Sequence, residues 1–187
     1  SMPSFAGVNE HEHACEIIHS STVPDLTVIK GWNSSFYDIT HKDLGDHKPV
    51  IVLNVSLHGM IMNHPAEEYL SADFEDIIMN YRNSLWVEKN LPGILNMLVR
   101  LNPISAESIR LYGVSLRDAG IVAMEDMLLP ASEWLSQASY SPVKLEFWAD
   151  ELVYESLISS EKGKVKGVKM FADGALGTRT AGLSEPY

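Results

Sequence analysis

Lys169 and Asp173 lie four residues apart in the run G-V-K-M-F-A-D-G. Side chains alternate across a strand, so Lys169, Phe171 and Asp173 share one face while Val168, Met170 and Ala172 share the other. The length and apolar content of Val168 to Ala172 predict a buried strand. Asp173-Gly174 ends it, because glycine accepts the positive φ of a sharp exit. A lysine and a carboxylate thus gather at a strand's C-terminal end, where parallel α/β proteins concentrate their chemistry. The same residues also fit a plain strand, with Lys169 reaching toward solvent and Asp173 opening a turn.

One further set could do chemistry. A helix over about 10–18, capped by Asn9, puts His11, Cys15 and His19 on one face at i, i+4 and i+8. That spacing suits metal ligands, but a ligand set needs closure by further groups, so the pattern reads first as a polar surface helix. His58 and Asn63 stand in L-H-G-M-I-M-N-H-P-A. This stretch follows the apolar run P-V-I-V-L-N-V-S, which predicts a strand over 49–56. Asn63 fits the cap of a helix opening at Pro65-Ala66-Glu67-Glu68 equally well.

The elements that must position these residues alternate. Residues 25–32 predict a strand ending in Gly31-Trp32, and 38–48 a polar linker or short helix. Leu91, Ile94, Leu95, Leu98 and Val99 form the apolar stripe of a helix that Asn102-Pro103 breaks. Ser105 caps a second helix that buries Ile109, Tyr112, Leu116 and Ala119 and stops at Gly120. A short buried strand over 121–124, a helix over 130–138, a strand over 142–148 and a helix over 153–159 then lead to the lysine strand. Strands alternating with helices call for parallel βα units.

The chain has 187 residues, 45% of them hydrophobic and 21% charged, the balance of a globular domain. Its 14 basic residues face 25 acidic ones, for a net charge of −11. That disfavours nucleic acid and anionic membranes as partners. Cys15 is the only cysteine, so no internal disulfide forms, and a reducing, cytoplasmic setting is the default.

The run K-M-F-A-D-G-A-L-G-T-R-T-A closely resembles a segment of the amidohydrolase superfamily. The branch is the long-chain one, amidohydrolase family 3, which includes exoenzyme-regulatory-type proteins and N-substituted formamide deformylases. Gly31-Trp32-Asn33, His58 with Asn63, and D-A-G-I-V-A-M-E-D fit other segments of it. The resemblance implies an α/β fold: an inserted α/β lobe over 1–100, then a partial parallel βα arc of a TIM-type barrel over 101–187. It implies that Lys169 is carboxylated, is catalytic and binds zinc or another divalent metal, which activates water against a non-peptide C–N bond. His58, Asn63 and Asp173 would face a small amide-type substrate. Arg179 would do the same or pair with an acid.

All seven histidines precede residue 65. The family's site needs an early H-x-H past a barrel strand, later histidines and a late aspartate. His11-Glu12-His13 has the spacing but no β-like run before it. The expectation is therefore an internal segment, inactive alone, with Lys169 unmodified and no catalytic metal. The alternative is a regulatory or binding protein that keeps part of the fold. An incomplete arc also invites homodimerisation through exposed strand edges.

Overall fold

The computed structural model describes residues 3–21, 25–173 and 181–184, which form two units. The first comprises residues 1–91 and 173–187, the second 92–172.

In the first unit the N-terminal stretch runs beside a strand edge, with Phe5 N–H donating to the Lys30 carbonyl at 2.8 Å. Helix α1 (His11–Ser20) buries Ala14 and Ile18, one turn apart on its inner face. Its N-cap is Glu10 and makes no side-chain cap, so the expected Asn9 cap is not used. Strand β1 (Thr27–Trp32), helix α2 (His41–Leu44), strand β2 (Val50–Asn54) and strand β3 (Met60–Met62) follow. Then come helices α3 (His64–Leu70), α4 (Glu75–Asn80) and α5 (Ser84–Lys89).

The sheet order is β1-β2-β3, with β1 and β2 parallel and β3 antiparallel to β2. Val50 to Leu53 are all buried, as a continuous apolar run demands of a strand covered on both faces. Phe5, Ala14, Ile18, Ile29, Val50 and Val52 pack into one core, which Tyr37, Ile39 and Leu44 extend. The direct strand-to-helix turn expected after β2 is instead a hairpin. Met60 to Met62 are apolar enough to pair back before the chain reaches α3.

The second unit begins one residue into helix α6 (Leu91–Leu101), which buries Leu91, Ile94 and Met97. Helix α7 (Ala106–Asp118) starts where Ser105 Oγ accepts the Ser108 N–H at 3.1 Å. It ends with Gly120 at φ 82°, its N–H on the Arg117 carbonyl and the Ile121 N–H on the Leu116 carbonyl. That is a Schellman close. The buried line of α7 runs through Ile109 and Gly113, while Tyr112 and Ala119 are exposed. The difference has a steric origin. A Cβ on Gly113 would sit 2.5 Å from both Pro142 Cδ and Ser141 Oγ, so the helix turns its narrowest side chain toward that neighbour.

Strand β4 (Ala123–Asp126), helix α8 (Glu133–Gln137), strand β5 (Lys144–Ala149), helices α9 (Glu151–Ser156) and α10 (Ser159–Lys162), and strand β6 (Val165–Val168) complete the unit. The sheet is β4-β5-β6, parallel throughout, as the alternation predicts. One face packs Phe147 and Ala149 with Leu129, Leu135 and Leu157. Asp150 caps α9, its Oδ1 accepting from Leu152 N–H at 2.8 Å and Val153 N–H at 3.1 Å. The stretch expected as a buried strand, 121–124, is exposed, with Val122 at 79%. Among the described residues no helix is long and apolar enough to cross a membrane.

Candidate functional site

Lys169 stands one residue past β6. Its N–H donates to the Ala149 carbonyl at 2.7 Å, and its ammonium lies 4.6 Å from the centroid of the Phe171 ring, a cation–π contact. The expected buried strand over Val168 to Ala172 is corrected here. The strand is Val165–Val168, and Met170 and Phe171 are exposed. The reason is the lack of a partner. Val168 already pairs with Ala149, the last residue of β5, so the chain beyond has no ladder to join. The ladder also shifts register between Phe147 and Ala149, and Gly167 sits in that shift. A Cβ there would lie 2.8 Å from the Trp148 ring.

Asp173 is exposed, and its Oδ2 accepts the Gly182 N–H at 3.1 Å. Arg179, with the rest of 174–180, lies outside the described residues.

His58 falls in the turn between β2 and β3. Its Nδ1 is 3.2 Å from Glu88 Oε1 on α5, and the two side chains are 14% and 8% exposed. Neither Glu88 carboxylate oxygen has a hydrogen-bond partner among the described residues, so the His58 ring is the polar neighbour of this side chain. Leu57, just before, holds φ 62°, a left-handed conformation costly for a leucine.

Asn63 caps α3, and its amide also ties loops together. Oδ1 accepts from Val50 N–H at 2.9 Å and Ala66 N–H at 3.2 Å. Nδ2 donates to the Gly45 and Lys48 carbonyls, each at 2.7 Å. All four bonds of the amide are therefore engaged with backbone. In this structure Asn63 positions the hairpin that carries His58.

An open groove of about 660 Å3 lies at the C-terminal ends of the parallel strands β1 and β2. Phe5, Lys30, Gly31, Asn54 and Leu57 line it, with Asn33 from the turn after β1. Open α/β sheets bind ligands at this edge. The strained turn thus sends Leu57 into the groove and His58 toward Glu88.

Elsewhere in this unit Tyr81 Oη donates to Glu67 Oε1 at 2.7 Å and accepts from Arg82 Nε at 3.0 Å. Burial first, then the Glu67 contact, pushes the Tyr81 phenol up to about 12.

On the open face of the second sheet Glu125 meets Lys166 and accepts from Trp148 Nε1 at 2.9 Å. Glu146 bridges Lys144 at 2.9 Å and Lys166 at 3.5 Å. Lys166, and then Trp148, hold the Glu125 carboxyl below its ordinary value.

The implied zinc can be tested against these residues. Among the described residues, His11, Cys15 and Asp43 are the group of three histidine, cysteine or acidic side chains whose donor atoms converge. No second such trio surrounds Lys169 among them, and its ammonium stands over an aromatic face. The residues at Lys169 do not make a metal centre by themselves, and no catalytic step follows through one. The sequence pattern paired His11 with Cys15 and His19. Asp43 replaces His19, and only the chain reversal through α2 brings it there.

No protein-family model matches the chain, and no curated protein matches it. Two solved structures are similar in fold. One is an uncharacterized metal-dependent hydrolase from Pyrococcus horikoshii OT3, with TM-score 0.60 and 22% identity over 100% of this chain. The other is an uncharacterized metal-dependent hydrolase from Pyrococcus furiosus, with TM-score 0.55 and 20% identity, again over 100% of this chain. The chain spans 42% and 43% of their lengths. It thus shares a mixed α/β fold with a part of each larger protein.

Proposed function

We propose that the chain is an internal segment of a metal-dependent amidohydrolase of the family 3 branch. It would act on non-peptide C–N bonds of small amide-type substrates through metal-activated water, and it would be inactive alone. The observation that carries this reading is the parallel β4-β5-β6 sheet, from whose last strand the K-M-F-A-D-G run emerges at the C-terminal end. The fold shared with the two hydrolases supports it. In this reading 101–187 form barrel units and 1–100 an inserted lobe. Lys169 joins a divalent metal, zinc by preference, as a carboxylated ligand that further residues complete. His58, Asn63, Asp173 and Arg179 shape the substrate side, with Asn63 acting through backbone. The setting is cytoplasmic. Among the described residues strands β4 and β6 are sheet edges, and their pairing with a second copy would give a homodimer.

A second reading is a regulatory or binding protein that keeps part of the fold. Hydrolysis of a panel of N-acyl and N-formyl amines, with zinc added, separates the two. Turnover by the natural full-length protein, abolished by Lys169→Ala, supports the enzyme. Turnover indifferent to that change, or none, supports the binding protein. For the chain alone the expected results are no turnover and an intact mass without one added carbon dioxide. Light scattering tests the dimer, which a monomer at high concentration would exclude.

A further inference from the structure

His11, Cys15 and Asp43 form a constellation that the hydrolase reading does not use. His11 and Cys15 stand at i and i+4 on α1, so their side chains lie one above the other. Asp43 comes from α2. His11 Nε2 is 3.6 Å from Cys15 Sγ and 3.2 Å from Asp43 Oδ1, and Sγ is 3.9 Å from Oδ1. A tetrahedral zinc with ordinary Zn–N, Zn–S and Zn–O bonds needs donor–donor edges of about 3.3 to 3.7 Å. Two edges fall within a tenth or so of that range. The third closes with a small rotation of the Cys15 side chain.

Asp43 is also held in place for this role. Its Oδ2 accepts from both the Thr40 N–H and the Thr40 hydroxyl, each at 2.7 Å, in the capping box of α2. That leaves Oδ1 aimed at His11 and Cys15, an outer contact of the kind that orients metal-bound carboxylates. His11 is 46% exposed, which gives an ion a way in and leaves one coordination position to solvent. Around Asp43, burial works to raise the carboxyl, but the Thr40 bonds and then His11 outweigh it and hold it ionised. Burial, and then that same carboxylate, raises the Cys15 thiol. A cation bound among them would reverse the effect on sulfur, releasing the thiol proton to solvent as the bond to metal forms.

The geometry points to a three-ligand transition-metal site of the zinc type, formed by His11 Nε2, Cys15 Sγ and Asp43 Oδ1, with water in the fourth position. The mixed nitrogen, sulfur and oxygen donors favour zinc or cobalt over magnesium or calcium. The site is independent of the hydrolase reading and does not fail with it.

Cobalt(II) titration of the intact chain, followed by zinc displacement, is the test. Expected are one equivalent bound, a thiolate-to-cobalt band in the near ultraviolet and strong visible bands of a four-coordinate ion. Cys15→Ala should abolish the near-ultraviolet band, and His11→Ala should weaken zinc binding more than about a hundredfold. Thr40→Val, which keeps all three ligands, should weaken it about tenfold or more. His13→Ala, next to the trio but outside it, should change nothing. The unfolding midpoint of each variant without metal is the folding control. No cobalt–sulfur band, or zinc affinity that survives the His11→Ala/Cys15→Ala double variant, overturns the proposal.

Discussion

Two polar clusters, one in each unit, are built in opposite ways. The first buries the His58–Glu88 pair beneath a turn, with both side chains almost out of solvent. The second spreads Glu125, Glu146, Lys144 and Lys166 over an open sheet face where water screens them. Buried pairs cost desolvation and collapse when one member is lost; exposed pairs contribute little. The His58–Glu88 pair therefore enforces one arrangement, while the second cluster keeps a sheet face wet. The cores differ in the same sense. Strand β2 is enclosed on both faces, whereas β5 is packed on one.

The contrast breaks most visibly at His58. His58→Ala leaves the Glu88 side chain buried and without its imidazole neighbour, and should cost about 3–5 kcal/mol in denaturant unfolding. The double variant with Glu88→Ala should recover part of that loss. Equal losses for the single and double variants would mean the pair is not coupled.

Next comes alkaline pH. Tyr81 is 2% exposed and its folded pKa, about 12, lies above the ordinary 10. Its contribution to stability is thus present below pH 10 and lost as pH rises toward 12, up to about 2–3 kcal/mol. Tyr81→Phe should flatten that part of the stability profile and remove the latest tyrosinate from an ultraviolet titration, in which buried Tyr37 also titrates late.

Gly113→Ala should cost about 1–3 kcal/mol through overpacking against Pro142 and Ser141. An unchanged midpoint would show that the second unit gives way more readily than its packing implies. Smallest of all, Glu125→Gln should barely move the midpoint, and added salt should erase even that.

Sequence pattern located β1, β2, β5 and the alternation around them, because long apolar runs and periodic stripes are local signals. Gly120 and Ser105 were equally legible, since backbone geometry fixes what can stand there. Strand β3 was hidden, as three apolar residues carry no period. The end of β6 was hidden as well. The apolar run continues to Ala172, but pairing stops where β5 runs out, and that depends on a distant strand. The sequence reading singled out His58, Asn63, His11 and Cys15. It could not find Glu88 or Asp43, which reach their partners only through tertiary folding.

Asn63 joins the entry of β2, the start of α3 and the 45–48 loop through a single amide. Chemical ageing of that side chain would therefore act far beyond one residue. Deamidation would replace the donor nitrogen with an acidic oxygen facing the Gly45 and Lys48 carbonyls, and mutual repulsion would unlatch three passes of the chain at once.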